Sequence, residues 1–423
     1  MINEEFLQFI WKFQLYNFSN LVSSSGSSIL VLNPGVQNLN SGPDFFNAQI
    51  QIGEILWFGD VEVHVKSSGW LEHKHHEDDS YDAVVLHVVY EEDIALTRAN
   101  GSKLHCLVLR DLIPDEYLTA YDTLYRSDSS IPCAYALPSF DPFFWQSYTE
   151  RLLVERLENK QIRVREMFTA SDENYQECFY RLLSYTLGLK VNKIPMLRLA
   201  EQTPLRLLQK HRLNRLQLEA LLFGQSGMLN RVFIDRYPQK LKVEYLFFKE
   251  KYKLHPLTSK EWKFFRLRPS SFPSLRISYL ADFVYKSELL FDTLFQYKSI
   301  EEVRRFFELE LSDYWQSHYV FDKKSRKSKK ILGQGTIDVI MINTVLPFCF
   351  FYAKQQSNEA MMMRVLDSFR AIKYENNKIV RSFKEAGVHV KSALMSQALI
   401  HLHESYCTPR NCLNCRVFNQ ILK

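Results

Sequence analysis

The sequence predicts an α+β protein, in which an N-terminal mixed β-sheet domain with a flanking helix precedes a larger all-α C-terminal region. Short apolar runs separated by glycine turns fill residues 1–135, whereas residues 136–423 show long helical periodicity and few glycines. The 423 residues also exceed what one hydrophobic core usually holds. We therefore expect at least two packed units, with a boundary near residues 127–142.

The N-terminal domain is predicted to contain one helix and five strands. Glu4 to Phe18 spaces its apolar side chains as an amphipathic helix does, and Ser23 to Ser28 forms a turn. The Gly53-Glu54 pair suits a two-residue hairpin loop. The last strand is almost wholly apolar, which predicts a central strand buried on both faces. The predicted strands are Ile29 to Leu32, Ala48 to Ile52, Ile55 to Phe58, Val61 to Lys66 and Val84 to Tyr90.

The C-terminal region is predicted to be helical throughout. Its longest apolar run, Val339 to Ala353, contains Asn343 and Pro347 and is too short to span a bilayer, so we expect a buried helix there. The N-terminus also lacks a secretory signal pattern, and the sequence therefore predicts a cytoplasmic protein without a membrane partner. The other predicted helices are Phe143 to Phe168, Tyr175 to Leu187, Pro204 to Leu222, Leu241 to Tyr252 and Glu301 to Leu311.

Charge is distributed unevenly along the chain. Residues 1–135 carry 7 Lys and Arg against 19 Asp and Glu, whereas the remainder carries 46 against 29. One interpretation of this asymmetry is that the charge of each part only keeps it soluble. The other is an acidic part that binds a cation, joined to a basic part that binds nucleic acid. The seven cysteines in a reducing compartment are expected to be free thiols or metal ligands.

One predicted strand concentrates acids and a histidine on a single face. From Gly59 to Lys66, valines alternate strictly with polar residues, so the side chains of Asp60, Glu62, His64 and Lys66 point the same way. One interpretation is an amphipathic strand with a wet face. The other is a site in which Asp60 and Glu62 are metal ligands.

Residues 70–79 contain the densest group of potential metal ligands. On an extended segment the first two of its three histidines would face one way, which fits a Zn²⁺ or Fe²⁺ site completed by His64 or Asp79 and typical of a metallohydrolase or oxygenase. His87 lies inside the apolar strand, so we expect a buried, hydrogen-bonded histidine there. The three clustered histidines are His73, His75 and His76.

The order Pro43-Asp44, a hairpin-length spacer and then Glu62-x-His64 resembles the core of the PD-(D/E)XK nuclease superfamily. The resemblance implies that Asp44 and Glu62 bind Mg²⁺ or Mn²⁺ and that a basic residue orients or activates the attacking water. The family's lysine position is His64 here, with Lys66 further along the same face. A third acid would come from the first turn of the N-terminal helix, which offers Glu4 and Glu5.

The C-terminus holds a second candidate metal site. The ligands of a structural Zn²⁺ could come from a Cys-x-x-Cys pair, a third nearby cysteine and a histidine. Such an ion would fix the last helix to the rest of the protein. A [4Fe–4S] cluster with a remote fourth ligand and a redox-active pair are the alternatives. The expected ligands are His403, Cys407, Cys412 and Cys415. The scattered Cys106, Cys133, Cys178 and Cys349 are expected to be buried.

Basic residues in the helical region are candidates for nucleic-acid contact, although a solvated loop is the default interpretation of the basic run and a structural role is favoured for the arginines. Arg266 and Arg268 lie among aromatic residues. A further basic run precedes Gly333-Gln334-Gly335 and is expected to be an exposed loop. Its candidate contacts are Lys323, Lys324, Arg326 and Lys327.

In combination, five segments resemble an uncharacterised bacterial family, domain of unknown function 2851, found largely among Bacteroidetes. The resemblance covers essentially the whole chain and implies no activity. The residues that carry it are Gly42 to Phe45, Gly59 to His64, Trp70 to His76, Leu86 to Val89 and the terminal cysteines.

Three functions are consistent with these patterns. The first is a metal-dependent nuclease or phosphodiesterase centred on Asp44, Glu62 and His64. The alternatives are a non-catalytic nucleic-acid or protein-binding module with structural metal sites, and a metallohydrolase built on the histidine cluster. No nucleophile elbow, phosphate-binding loop or dinucleotide-binding motif is present, so acyl transfer, nucleotide hydrolysis and dinucleotide chemistry lack support. The oligomeric state is not readable from these patterns.

Overall fold

The computed structural model describes residues 2–98, 101–287 and 290–422, and the chain divides into two compact units. The sheet unit comprises Met1–Phe140 and Leu402–Lys423, and the helical unit comprises Asp141–His401. The predicted α+β class is confirmed, with a mixed sheet near the N-terminus and helices after it. The last residues, expected to belong to the helical region, group with the sheet unit because Phe418 and Leu422 are buried in its core.

The sheet unit is built on one mixed sheet in the order β1-β3-β4-β5-β6, with β2 paired to β3. β3 pairs antiparallel with β1, β2 and β4, whereas β4, β5 and β6 run parallel to one another. The elements are α1 (Glu4–Lys12), β1 (Ile29–Asn33), β2 (Val36–Gln37), β3 (Phe45–Ile52), β4 (Ile55–Lys66), α2 (Gly69–Glu72), β5 (Val84–Glu91), β6 (His105–Val108), α3 (Asp115–Arg126) and a last helix at Arg416–Ile421.

Strand β4 is one continuous strand, although two separate strands were predicted. Gly59 lies in the ladder opposite Ala48, and after an irregularity at Asp60 the pairing with β3 resumes at Val61, so β4 continues through the Gly59-Asp60 pair. Helix α1 is shorter than predicted because the chain turns at Gln14, whose φ is +50°. The prediction of a central strand is confirmed for β5, which lies between β4 and β6 and is buried from residue 84 to residue 89.

Helix α1 packs its apolar face against the sheet. Asn3 caps the helix by accepting a hydrogen bond from the main-chain N–H of Phe6 at 3.0 Å. Phe6 and Ile10 are fully buried in one core with Val61 and Val63 of β4, and each such side chain stabilises the fold by about 1.5–3 kcal/mol. This packing places the polar face of α1 beside the end of β4.

The helical unit contains the remaining helices and a two-stranded ribbon. The segment predicted as one helix from Pro204 to Leu222 is two helices, and Asn214 caps the second by accepting a bond from Gln217 N. The elements are α4 (Pro142–Thr169), α5 (Tyr175–Leu187), α6 (Lys193–Gln202), α7 (Leu205–Gln209), α8 (Arg215–Gln225), α9 (Arg236–Tyr252), α10 (Pro273–Lys286), α11 (Leu290–Gln296), α12 (Ile300–Arg304), α13 (Asp313–Gln316), β7 (His318–Val320), β8 (Lys323–Lys324), α14 (Gln334–Ile340), α15 (Leu346–Gln355), α16 (Glu359–Ala371), α17 (Lys378–Glu385) and α18 (Ala393–Leu402).

Helices α14 and α15 join through a π-helical segment, Met341–Val345, into one apolar helix. Within the described ranges, Gln334–Gln355 is the helix that is long and apolar enough to cross a membrane, with a mean hydropathy of 1.6. However, 72% of its most apolar window is buried inside the protein, as in the core helix of a packed domain. The prediction of a buried helix at Val339 to Ala353 is therefore confirmed.

Candidate metal centre

Four side chains bring potential ligand atoms together beside strand β4. His64 Nε2 lies 3.1 Å from His73 Nδ1. Glu62 Oε1 lies 3.7 Å from His64 Nε2 and 3.2 Å from His75 Nε2. The three histidine ligand atoms all lie within 4.8 Å of one another. A tetrahedral ion with bonds of about 2.0–2.1 Å holds its ligand atoms about 3.3 Å apart, so the three histidines are placed to share one metal ion, with Glu62 beside them.

The polar face of β4 is buried where it carries the candidate ligands. Glu62 is 5% exposed and His64 is 1% exposed, while Val61 and Val63 pack in the core on the other side of the strand. The interpretation of β4 as an amphipathic strand with a wet face is therefore wrong at these positions. Burying a carboxylate costs free energy unless a cation or hydrogen bonds compensate its charge. Three imidazoles converge beside Glu62, and a cation bound by them would compensate the charge of Glu62.

His73 and His75 reach the centre through a tight chain reversal, whereas an extended segment was predicted. Helix α2 ends at Glu72 with His73 as its C-cap, Lys74 adopts a left-handed φ of +60°, and His75 begins a 3-10 turn. The His75 ring stacks on Tyr81 at 3.8 Å between centroids and lies edge-on to Trp70 at 5.4 Å. Its buried Nε2 atom lies 3.2 Å from Glu62 Oε1 but makes no hydrogen bond of suitable geometry in the described part of the chain, as expected of a ligand that faces a metal ion.

The end of β4 and helix α2 are held together by short contacts. Ser67 Oγ and Ser68 N both donate to Asp93 Oδ1 at 2.9 Å. Hydrogen bonds from Ser68 hold the pKa of Asp93 down to about 2, so its carboxylate stays charged as an acceptor. A Cβ on Gly69 would lie 2.8 Å from Cδ2 of His64, so only glycine lets α2 approach the histidine ring this closely.

His87 on β5 orients His64 from the side opposite the other ligands. His64 Nδ1 and His87 Nε2 are 2.8 Å apart and both residues are buried, which confirms the prediction of a buried, hydrogen-bonded histidine at position 87. Burial, reinforced by neighbouring histidines, lowers the pKa of His64 to about 2 and that of His87 to about 3. Both rings are therefore neutral at physiological pH. A metal at His64 Nε2 requires the proton of this ring to be on Nδ1, where it is placed to donate to His87.

Asp44 is fixed beside Glu62 at the start of β3. Its Oδ1 accepts a hydrogen bond from Gln8 Nε2 at 2.8 Å, and its Oδ2 accepts one from Val63 N at 3.0 Å. The main-chain N–H of Asp44 in turn donates to Glu62 Oε2 at 3.0 Å. Burial, reinforced by the charge of Glu62, raises the pKa of Asp44 to about 7. A carboxyl group with such a pKa is suited to proton transfer near neutrality.

Helix α1 places Glu4, and not Glu5, beside the centre. Burial raises the pKa of Glu4, which also interacts electrostatically with His73 and Glu62, whereas the Glu5 side chain is exposed. Gln8, which contacts Asp44, follows Glu4 by four residues and therefore lies on the same helix face. The contact of Gln8 with Asp44 is known only from the structure, so the sequence by itself did not distinguish the two acids.

Other residues predicted for this site lie outside the group of converging atoms. Asp60 Oδ1 accepts a hydrogen bond from Asn47 N at 3.1 Å, beside an irregularity in the pairing of β3 with β4. Lys66 is exposed at the end of β4, and His76 and Asp79 are exposed on the two 3-10 turns that follow α2. The structure thus brings together Asp44, Glu62, His64, His73 and His75 from the predicted set.

The C-terminal cysteines meet a fourth cysteine that was not predicted as their partner. His403, expected as the fourth ligand, is paired with the side chain of Thr408, with 3.2 Å between Nδ1 and Oγ1. Cys106, Cys178 and Cys349 are buried as predicted. The cysteines that line one small pocket are Cys133, Cys407, Cys412 and Cys415. No spacing pattern links position 133 to the C-terminus, so the sequence carried no signal for this group.

The basic residues predicted to meet nucleic acid are exposed in the helical unit. Lys330, at the end of the basic run, is instead buried and donates from Nζ to the carbonyl oxygens of Trp315 and Gln316 at 2.6 and 2.8 Å. The run is exposed as expected except at its last residue, but the expectation of a loop is wrong for Lys323 and Lys324, which form strand β8 paired with β7. The exposed residues are Arg266, Arg268, Lys323, Lys324, Arg326 and Lys327.

Comparison with known proteins identifies the family. The family described as "Protein of unknown function (DUF2851)" matches residues 4–378. The chain belongs to this family. The match includes every residue of the candidate metal centre and ends before the C-terminal cysteines, which the resemblance was expected to cover. No curated protein and no solved structure matches the chain.

Proposed function

We propose that this protein is a metal-dependent phosphodiesterase acting on nucleic acid. The observation that carries the proposal is the convergence of His64, His73 and His75 on one possible metal position, with Glu62 beside two of these histidines and Asp44 adjacent. Glu62 and Asp44 are the two acids on either side of the β3–β4 hairpin, the arrangement that the nuclease resemblance implies. The histidine cluster and the nuclease-like motif, considered above as separate sites, are thus parts of one centre.

The donor set favours a first-row transition metal over Mg²⁺. Three imidazole nitrogens and one carboxylate oxygen suit Zn²⁺, Fe²⁺ or Mn²⁺, whereas Mg²⁺ takes oxygen ligands almost exclusively. A bound divalent cation would lower the pKa of a water molecule and offset the charge that develops on phosphoryl oxygens. His73 is exposed, so the centre is reachable from solvent on the side of that ligand.

The surrounding side chains would hold and move protons. Asp44, whose two oxygens are positioned by Gln8 and Val63 beside Glu62, would accept a proton from the attacking water. Glu4 would add negative charge at the same edge and attract the cation. His87 would keep His64 in the tautomer that binds metal, and is therefore a positioning residue.

The test is a metal analysis combined with a cleavage assay. Purified protein is stripped with a chelator and refilled with Mn²⁺, Zn²⁺, Fe²⁺ or Mg²⁺, and cleavage of single- and double-stranded DNA and RNA is then measured. We expect cleavage with a transition metal. Asp44→Asn should retain the metal and lower kcat by about 10²-fold or more, whereas His73→Ala should lose the metal. His389→Ala, an exposed histidine of the helical unit, is the matched control.

The assay also separates catalysis from a purely structural metal. Metal that binds with the expected residue dependence, without cleavage of any nucleic acid by the wild-type protein, would overturn the phosphodiesterase proposal and favour a binding module. Absence of metal binding in every condition would overturn the metal centre itself.

The nucleic-acid partner rests on the basic residues of the helical unit. Each Lys or Arg that contacts a phosphate of duplex DNA contributes about 0.9 to the slope of log affinity against log salt concentration. Replacing Lys323, Lys324, Arg326 and Lys327 together by Gln should therefore lower that slope by about 3 to 4. An unchanged slope would show that this loop is only solvated.

A further inference from the structure

Four cysteines from two distant parts of the chain line one pocket in the sheet unit. Cys133 lies between α3 and the end of the first stretch of this unit, whereas the other three lie in its last seventeen residues. None forms a disulfide bond. The rest of the pocket wall is mostly apolar, with Leu124, Pro132, Val417 and Phe418 among its residues. The four are Cys133, Cys407, Cys412 and Cys415.

The thiols are close enough to influence one another. Burial, reinforced by neighbouring cysteines of the group, raises the pKa of Cys133 to about 12 and that of Cys412 to about 11. Four thiols in one pocket can serve together as ligands of a metal centre, which binds them as thiolates.

The spacing of the sulfur atoms distinguishes two kinds of centre. A single Zn²⁺ with Zn–S bonds of about 2.3 Å would hold its four sulfurs about 3.8 Å apart. Among the described residues, which include all four cysteines, no three of these sulfurs lie within 4.8 Å of one another, whereas the histidine ligands of the other centre do. In a [4Fe–4S] cluster each thiolate binds a different iron, so the sulfurs lie further apart than around one ion.

Arg410 supports this centre from outside. It donates to the carbonyl oxygens of Ser129 and Ser127 at 3.0 and 2.6 Å, and so ties the C-terminal loop to the segment that leads to Cys133. Its positive charge also acts on Cys407 and Cys412. A nearby cation stabilises the net negative charge of a thiolate-bound cluster.

We infer that Cys133, Cys407, Cys412 and Cys415 bind a [4Fe–4S] cluster that joins the C-terminal segment to the sheet unit. The cluster replaces the Zn²⁺ expected from the sequence, and Cys133 replaces His403 as the fourth ligand. This site is separate from the histidine centre and does not depend on the proposed phosphodiesterase activity.

The test is anaerobic purification of the full chain, followed by reconstitution with Fe²⁺ and sulfide and measurement of iron, sulfide, zinc and visible absorption. The expected wild-type result is about four iron and four sulfide per chain, with the broad visible absorption of an iron–sulfur cluster. Cys133→Ser should lose most of the iron and the absorption. Cys106→Ala, a buried cysteine of the same unit that lies outside the group, should retain both.

Each other outcome argues against the inference. One zinc per chain without iron or sulfide would establish a single-ion site, and a wild-type protein that takes up no metal would eliminate the centre. Full iron content in Cys133→Ser would remove Cys133 from the ligands. Because that variant is at risk of misfolding, His403→Ala provides a second test, since it should keep the full cluster and would lose it if His403 were the ligand.

Discussion

The substitution Glu62→Gln should separate the stability of the fold from the binding of metal. The side chain is 5% exposed, its Oε2 accepts a hydrogen bond from Asp44 N, and its Oε1 lies beside the nitrogens of His64 and His75. A glutamine of the same shape can keep the bond from Asp44 through its amide oxygen. It places an NH₂ group, which cannot bind a cation, where the metal-facing oxygen was.

The expected effect can be estimated from the linkage between binding and folding. A ligand at one hundred times its Kd stabilises the state that binds it by about 2.7 kcal/mol. For a unit of about 160 residues, one kcal/mol corresponds to about 2–4 °C in Tm, so metal should raise the wild-type Tm by about 5–11 °C. Without metal, Glu62→Gln should melt at or above the wild-type Tm, because it removes a buried charge.

The assay is thermal unfolding of chelator-treated protein with and without Zn²⁺ or Mn²⁺, at a fixed protein concentration. Glu77→Gln, which alters an exposed acid on the neighbouring 3-10 turn, is the control and should respond to metal as the wild type does. A metal-induced rise in Tm that is as large in Glu62→Gln as in the wild type would refute the assignment of Glu62 as a ligand. A much lower Tm of the metal-free variant would show that the charge itself is needed for folding.

Three further predictions concern the same unit. His87 has a folded-state pKa of about 3 against 6.5 for an unperturbed histidine, so metal-free protein should lose stability as the pH falls from 6.5 towards 3, by about 1.4 kcal/mol at pH 5.5. His87→Gln should lack this part of the pH dependence in urea unfolding, whereas His389→Gln should retain it. Gly59→Ala should destabilise the sheet by about 1–3 kcal/mol in the same assay, because the new Cβ would lie 2.4 Å from atoms of the chain entering β5. Gly335→Ala is the control and should be near neutral, because a Cβ at that position has no atom within 4 Å. His73→Ala should leave the metal-free Tm within about 2 °C of wild type, since the side chain is exposed, yet abolish the metal-induced rise; a large loss without metal would give His73 a structural role instead.

Much of the candidate centre was readable from local patterns. The period of two along residues 59–66 places Glu62 and His64 on one strand face, and the hairpin after Asp44 brings that residue back to the same edge. The wholly apolar run of β5 likewise identified a central strand. These inferences succeed because strand periodicity and hairpin turns depend on residues that are near each other in sequence.

The tertiary structure alone decided which other residues join them. The left-handed conformation of Lys74 returns His75 to the centre. Glycine favours this conformation, so a lysine at this position gave no local sequence signal for the turn. The choice of Glu4 over Glu5 follows from the face that α1 buries against the sheet. Cys133 meets the C-terminal cysteines only because Phe418 and Leu422 pack into the core of the sheet unit. In each case the partners are distant in sequence, so their meeting depends on which apolar surfaces bury each other, and that information is spread over the whole chain.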